Sequence, residues 1–204
     1  GKLLTSKVRE PEESKLVDSI ITETERLSRL IEGILQYGRP LALNLEPTDL
    51  GGFVSEIRGQ LETSIVQSGC QVHTEVEGTF SCKLDRDKIK QVFHNLVRNA
   101  LEAMGSGGRL TLTTRVSLNP LFGKMDLGTG QRSMVEALVA DDGAGIPAAV
   151  RARIFDPFFT TKDKGLGLGL AICHRILEEH RGAIQVESAE GRGTLVTCFL
   201  PIAR

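Results

Sequence analysis

The run Asp141-Asp142-Gly143-Ala144-Gly145-Ile146-Pro147 is followed by Phe155-Asp156-Pro157-Phe158-Phe159-Thr160-Thr161-Lys162 and then by Gly165-Leu166-Gly167-Leu168-Gly169-Leu170. Two glycine-rich corners flank an aromatic hinge that contains proline. Glycine loses more backbone freedom on folding than any other residue. A chain therefore concentrates it where backbone must come close to something. A nucleotide pocket is the working reading, and the rest of the chain has to supply a sheet floor, a metal ligand and a seat for phosphates.

Each part of the stretch has a use in such a pocket. Asp141 follows a run, Ser133 to Ala140, that reads as a strand. A carboxylate at a strand end can accept a hydrogen bond from an exocyclic amine such as adenine carries. Gly143 and Gly145, with Ile146 beside them, would let backbone lie against a flat base. Taken alone, Asp-x-Gly-x-Gly is also an ordinary turn sequence. Gly165, Gly167 and Gly169 open a helix expected over about Leu168 to His180. Free N–H groups in its first turn, at Leu170, suit phosphate. Thr160, Thr161, Lys162 and Lys164 precede these glycines as a short lid with cationic side chains. A solvated charged loop is the plainer alternative, and for Lys164 the preferred one. A dinucleotide-binding fingerprint needs a strand directly before its glycines, and Phe158 to Lys164 does not read as one. GxxxxGK[ST] and the His-Arg-Asp set of protein kinases are absent.

The metal ligand is sought on the helix expected from Arg86 to Met104, capped by Asp85. Ile89, Val92, Phe93, Leu96 and Ala100 form its apolar face. Gln91, Asn95, Asn99 and Glu102 line an adjacent stripe. Any surface helix has a polar face. Asn, however, costs roughly 0.5 kcal/mol relative to Ala inside a helix, and two of them one turn apart suggest that their amides are used. A neutral amide oxygen can ligate Mg²⁺ beside an anionic polyphosphate without adding charge, and Mg²⁺ takes few protein ligands when phosphates supply the rest.

Outward from this centre the chain alternates helices and strands. An apolar stub, Gly1 to Val8, precedes Pro11, and Ser14 reads as the cap of a long helix. Val17, Ile20, Thr24, Leu27, Ile31 and Ile34 step by three and four, which is a heptad seam. Asp18, Glu25, Arg29 and Glu32 occupy the other face. One helix cannot bury such a seam, so pairing with another copy is expected over residues 14–37. Gly38-Arg39-Pro40 ends it. Leu41, Leu43 and Leu45 alternate with polar residues as in a short edge strand. Thr48 or Asp49 caps a helix from Leu50 to Ser68, with Phe53, Ile57, Leu61 and Ile65 inward and Gly69 closing it. Strands are expected over Gln71–Glu77, Leu110–Val116, Ala183–Ser188 and Thr194–Leu200, with a glycine-containing loop from Asn119 to Arg132. Several strand pairs are hairpin-connected, so the fold class is α+β: a two-layer α/β sandwich with a mixed sheet and helices on one face.

Composition narrows the function classes. The 204 residues carry 25 basic and 26 acidic side chains, a net charge of −1, with eight Phe, one Tyr and no Trp. Neither a basic patch nor a stacking platform for nucleic acid is present. No apolar run approaches the roughly 18–20 residues of a membrane span, and no signal peptide is visible at the start. Any membrane attachment is expected through segments outside this sequence. Cys70, Cys82, Cys173 and Cys198 form no CxxC pair and read as reduced core thiols of a cytoplasmic protein.

Taken together and in this order, the Asn helix, Asp-x-Gly-x-Gly, Phe-x-Pro-Phe and Gly-x-Gly-x-Gly resemble the N, first glycine, F and second glycine boxes of bacterial sensor histidine kinases. Gly191-x-Gly193-Thr194 is similar to the last glycine box, and the Thr-Thr-Lys lid resembles the nitrogen-regulator type. The resemblance covers about Leu41 to the C-terminus. It implies a Bergerat-type ATP fold over residues 41–204 and ATP and Mg²⁺ as cofactors. Asn99 matches the Mg²⁺ ligand, and Asn95 a second polar group near the γ-phosphate. Asp141 matches the adenine-binding Asp, and Gly143 and Gly145 the glycines beside the base. Gly165, Gly167 and Gly169 match the lid hinge and phosphate loop, and Thr194 a Thr near adenine. Asn95 and Lys162 are the candidate catalytic residues. Leu166 stands where the family usually has Thr or Ser.

The same resemblance makes residues 1–40 part of a dimerisation and phosphoacceptor hairpin whose first helix is missing. The histidines, His73, His94, His174 and His180, all follow Pro40. His94 reads as a helix-surface residue, and no acceptor histidine is expected in this chain. Truncation of a longer protein is the expected cause, and a naturally acceptorless protein the alternative. The implied activity is transfer of the γ-phosphoryl of ATP to a hairpin histidine, then to an Asp of a response regulator. Two alternatives remain at this point: an ATPase of the gyrase B or chaperone type, which would have Glu where Asn95 stands, and a nucleotide-sensing dimer scaffold.

Overall fold

The computed structural model describes residues 11–38, 41–117, 134–162 and 165–203. The chain divides into two units, Gly1–Pro40 and Leu41–Arg204. In the first, a single helix, α1 (Pro11–Gly38), accounts for the described residues. It is already helical at Pro11, so Ser14 lies inside it and is not its cap. Proline suits a first helical turn because its missing N–H would have no intrahelical partner there. The expected seam stands in water: Ile20 is 59 %, Ile31 58 % and Ile34 49 % exposed, and Leu16 and Leu35 are exposed beside them.

The second unit begins with Leu41–Leu45, which is not a strand. The strand β1 (Glu46–Asp49) follows it and pairs antiparallel with β3 (Ser81–Leu84) in a two-stranded sheet. Alternation of leucines did not decide this; a backbone partner did. Glu46-Pro-Thr-Asp carries little apolar signal, but Thr48 and Cys82 face each other across the ladder and are both buried. Pro47, with no N–H to give, sits in a strand that has one neighbour.

Asp49 caps α2 (Leu50–Gln60), its carboxylate accepting from the Gly52 N–H at 3.1 Å. The helix expected to run on to Ser68 breaks at Leu61 and resumes as α3 (Glu62–Ser68). Phe53, Ile57, Leu61 and Ile65 are nonetheless all buried, so the apolar spacing survives the break. Gly69 ends α3 in the left-handed region, φ 68°. After β2 (Gln71–Val76) and β3 comes α4 (Arg86–Met104). Its six innermost residues, Ile89, Val92, Phe93, Leu96, Val97 and Ala100, lie on one face of the helix, as a 3.6-residue period requires.

The remaining elements are β4 (Arg109–Val116), β5 (Met134–Asp141), a four-residue turn of helix α5 (Ala148–Arg151), α6 (Gly169–Glu179), β6 (Ala183–Ser188) and β7 (Thr194–Pro201). The main sheet has the order β2-β4-β5-β7-β6, parallel between β2 and β4 and antiparallel elsewhere. Leu110 and Leu112 of β4, Val135, Ala137 and Val139 of β5, and Val196, Cys198 and Leu200 of β7 point into one core with α2, α4 and α6. The architecture is thus the expected mixed sheet with helices on one face. The loop 119–132, the stub Gly1–Val8 and Lys164 lie outside the described residues.

One buried histidine joins the helix ends. His180, 4 % exposed, closes α6. Its Nδ1 lies 2.7 Å from the Ile176 carbonyl, and its Nε2 accepts the Asp85 N–H at 3.0 Å. A carbonyl only accepts and a backbone N–H only donates, so the ring is the neutral Nδ1–H tautomer. Asp85 in turn caps α4 through the Lys88 N–H at 3.1 Å and accepts from the Asn44 N–H at 2.9 Å. Burial lowers the pKa of His180. Above the ordinary histidine value, about 6.5, the neutral ring suits both states. Below it the unfolded chain takes up a proton that the folded ring resists, so stability falls with falling pH. His180→Ala should cost about 2–3 kcal/mol at pH 7 and flatten the loss of stability between pH 6.5 and 5, read by urea denaturation.

The cysteines are buried and free. Burial pushes the Cys82 thiol up to about 11 and the Cys173 thiol to about 12, so neither is a nucleophile at neutral pH. His174 packs its ring on Phe155, centroids 5.3 Å apart, and pairs with Glu178. His94 is half buried rather than a free surface residue, and its Nε2 has no hydrogen-bond partner among the described residues.

Candidate nucleotide site

Strand register assembles one end of the site. Leu110 of β4 faces Asp141 of β5, Asp141 faces Thr194 of β7, and Thr194 faces Ser188 of β6. Residues directly opposite in antiparallel strands project to the same face. Leu110 is fully buried under the helices. Asp141, Thr194 and Ser188 therefore project toward the helix layer, in a row at the end of the sheet. Asp141 Oδ1 accepts the Gly143 N–H at 3.0 Å. Burial raises the Asp141 pKa, backbone hydrogen bonds from Gly143 and Thr194 lower it, and Asp142 raises it. The result is a half-buried acceptor whose charged form is held at a cost in desolvation.

The glycines of the first corner face protein, not only a base. A Cβ on Gly143 would stand 2.8 Å from the Ala103 carbonyl group of α4, to which Ala144 also donates at 3.2 Å. At Gly145, φ is 69° and a Cβ would overlap the Ala189 carbonyl oxygen. At Gly193, φ is 80° and a Cβ would overlap the carbonyl of Asp141 itself. Two backbone segments thus lie against the strand end that carries Asp141. The next residue, Ile146, donates its N–H to Ser188 Oγ at 2.8 Å. Ser188 was not anticipated. The available signal was its spacing: six residues before Thr194 across Ala189–Gly193, it must face Thr194 once that segment becomes a hairpin.

The other end lies between α4 and α6. Asn95 Nδ2 is 3.5 Å from the Gly169 carbonyl, and Asn95 Oδ1 is 3.5 Å from Arg98 Nη2. Leu168, the residue before α6, makes no side-chain cap, so the first N–H groups of the helix take no acceptor from it. Leu170 turns partly into the core. Gly167 packs on the backbone of Phe158 and Phe159. Phe158 itself holds φ 66°, a region bulky residues avoid, and the residue is 53 % exposed. Phe159 lies under the Arg153 guanidinium, 4.4 Å from the ring centre.

From this hinge the lid folds down onto α4. Thr160 Oγ1 accepts the Lys162 N–H at 3.0 Å beside Gly165, and Thr161 is exposed. Lys162 Nζ pairs with Glu102 and donates to Asn99 Oδ1 at 3.4 Å. The lid cation and the polar stripe meet at Asn99, which makes its amide oxygen reachable by a cation. Among the described residues no three His, Cys, Asp or Glu side chains cluster as a metal site. Mg²⁺ fits this surface only as a shared ion, held by Asn99 together with phosphate oxygens and water. Among the described residues no helix is long and apolar enough to cross a membrane.

Comparison with known proteins agrees with this fold. Residues 84–204 match the model of the histidine kinase-, DNA gyrase B-, and HSP90-like ATPase family. The sensory histidine kinase/phosphatase NtrB of Rhodobacter capsulatus is 35 % identical over 197 residues, 94 % of this chain and 54 % of that protein. Sporulation kinase C of Bacillus subtilis is 30 % identical over 99 % of this chain and 44 % of its own. The chain thus spans about half the length of the curated relatives it matches. Among solved structures, the catalytic domain of histidine kinase ThkA superposes with a TM-score of 0.65 at 31 % identity, covering 78 % of this chain and 96 % of that one. The same kinase in complex with the response regulator protein TrrA gives a TM-score of 0.74 at 28 % identity, over 99 % of this chain and 55 % of that one. Full-length ShkA in complex with AMPPNP gives 0.75 at 25 %, over 98 % and 41 %. The chain belongs to the histidine kinase-, DNA gyrase B-, and HSP90-like ATPase family, and within it is an ATP-binding domain of the sensor histidine kinase kind.

Proposed function

We propose that this chain binds ATP with Mg²⁺ and, within a longer protein, passes the γ-phosphoryl to a histidine on a dimerisation hairpin. The observation that carries the reading is the pairing of two ends: a half-buried carboxylate acceptor at Asp141 for the base, and a lid cation, Lys162, resting on Asn99 for the phosphates. Gly143, Gly145, Ile146 and Thr194 wall the base. Gly165, Gly167, Gly169, Leu170 and Thr161 line the phosphate path. Mg²⁺ would supply charge neutralisation and orientation of the phosphates.

Asn99 would offer the metal its amide oxygen after Lys162 moves off. Lys162 would then carry its charge over the phosphates, and Asn95 would position the terminal one. Both roles are electrostatic and positional, which is what phosphoryl transfer asks of a protein. Asn95 has no carboxylate with which to activate water, which favours transfer over hydrolysis. Residues 1–40 are proposed as the second part of the hairpin. The exposed stripe Ile20, Ile31 and Ile34 suits pairing with a second copy. The ThkA complex suggests a response regulator receiver domain as the onward acceptor. The parent is proposed to work in the cytoplasm, with any membrane anchor outside this sequence.

Calorimetry with a non-hydrolysable ATP analogue tests the reading. Binding should require Mg²⁺, and Asn99→Ala should bring affinity in Mg²⁺ down to the level seen with EDTA. Binding that is absent, or indifferent to both changes, defeats it. Mixing the chain with a hairpin fragment that carries a histidine should then give acid-labile phosphate on that fragment alone.

A further inference from the structure

Ser188 Oγ sits at the centre of three contacts. It accepts the Ile146 N–H at 2.8 Å, donates to the Gly193 carbonyl at 2.8 Å, and lies 3.0 Å from Thr194 Oγ1. A hydroxyl has one proton and two lone pairs. Ile146 can only donate and takes one lone pair. The Gly193 carbonyl can only accept and takes the proton. One lone pair remains, and it faces Thr194. The Thr194 hydroxyl must therefore donate to Ser188, which leaves Thr194 Oγ1 with lone pairs alone. Its cross-strand neighbour Asp141 also offers only lone pairs.

We propose that Ser188 is a positioning and specificity residue: by holding the Thr194 proton it turns the base end of the pocket into an all-acceptor edge, which selects a purine bearing a 6-amino group and rejects a 6-oxo purine. The proposal rests on the ATP-pocket reading above. A 6-oxo group would set a carbonyl against two acceptors with no proton between them, and such unpaired polar contacts discriminate more strongly than a missing methylene does. Ser188 also ties the Gly145–Ile146 corner to the β6–β7 turn, so loss of its hydroxyl frees the Thr194 proton to point at the ligand.

Titration calorimetry of ATP and of inosine triphosphate, each with Mg²⁺, separates the outcomes. The wild-type chain should favour ATP. Ser188→Ala should lower the ATP-to-ITP affinity ratio roughly tenfold, chiefly by improving ITP, because the released Thr194 hydroxyl can donate to the 6-oxo group. Thr194→Val, close to isosteric, should also lower the ratio, by removing the acceptor, and decides the matter if the Ser188 variant does not fold. A merely structural serine would weaken both nucleotides equally; an unchanged ratio in the folded variants overturns the proposal while leaving the ATP pocket standing. Failure of the wild-type chain to bind ATP at all overturns both.

Discussion

Asp141→Asn should abolish nucleotide binding without harming the fold. The carboxylate is half buried, and burial is the largest influence on it, raising its pKa. An acid whose folded pKa lies above its unfolded value costs stability at every pH above the unfolded one, near 3.9. The penalty is relieved as pH falls through the folded value. Asparagine removes it at all pH, and its amide oxygen can still accept the Gly143 N–H now at 3.0 Å. The melting temperature at pH 7 should therefore stay level or rise. Affinity should fall roughly a hundredfold or more, because an amide turned toward the base can present a donor to a donor. Calorimetry with ATP analogue, paired with a thermal melt, checks both halves. A variant that binds normally, or one that loses binding only because it unfolds, contradicts the assignment. Wild-type affinity should also decline on acidification as Asp141 takes up its proton.

Gly193→Ala should do the reverse and break the fold and the site together. At φ 80° an alanine is strained before any contact is considered, and its Cβ would overlap the carbonyl of Asp141. That neighbour is backbone at the end of the central strand, paired on both sides, so it cannot rotate away as a side chain would. Relief requires prying the β6–β7 turn from the end of β5. Strain and overlap together should cost about 3 kcal/mol or more, a fall of roughly 10 °C in melting temperature for a chain of this size. Binding should be lost even below the melt. Gly191→Ala, two residues earlier in the same turn, is the control: its φ is 72° but nothing lies within 4 Å of the added carbon. It should cost about 1 kcal/mol and leave binding intact.

Legibility in the sequence followed the range of the forces involved. Helix α4 was legible because an Asp cap, a five-residue apolar face and a terminal glycine are all local; Val97, the sixth residue of that face, came from the structure. The β5–Asp141 corner was legible for the same reason. The β1–β3 ladder was not, since Glu46–Asp49 and Ser81–Leu84 become strands through each other, across 31 intervening positions, and neither alternates clearly. The break at Leu61 escaped notice because the apolar spacing runs through it unchanged. At the site, residue types were legible and partnerships were not. Gly143 and Gly145 stood out as glycines, yet what fills the space beside them, Ala103 and Ala189, comes from elements far along the chain. Ser188 carried no signal as a residue; its meaning appears only when three strands place it beside Thr194 and Asp141.

The cap of α4 has a mechanical consequence. Asp85 holds Lys88 with one oxygen and Asn44 with the other, while its own N–H is held by His180 at the far end of α6. Asn44 stands four residues beyond Pro40, where the larger unit begins. Within the larger unit, a pull on Asn44 is thus passed through the Asp85 carboxylate to the first turn of α4 and through the Asp85 backbone to the last turn of α6, the two rods that carry Asn95 and Gly169. One residue, Asp85, is thereby the joint at which the chain near Asn44 and those two rods meet.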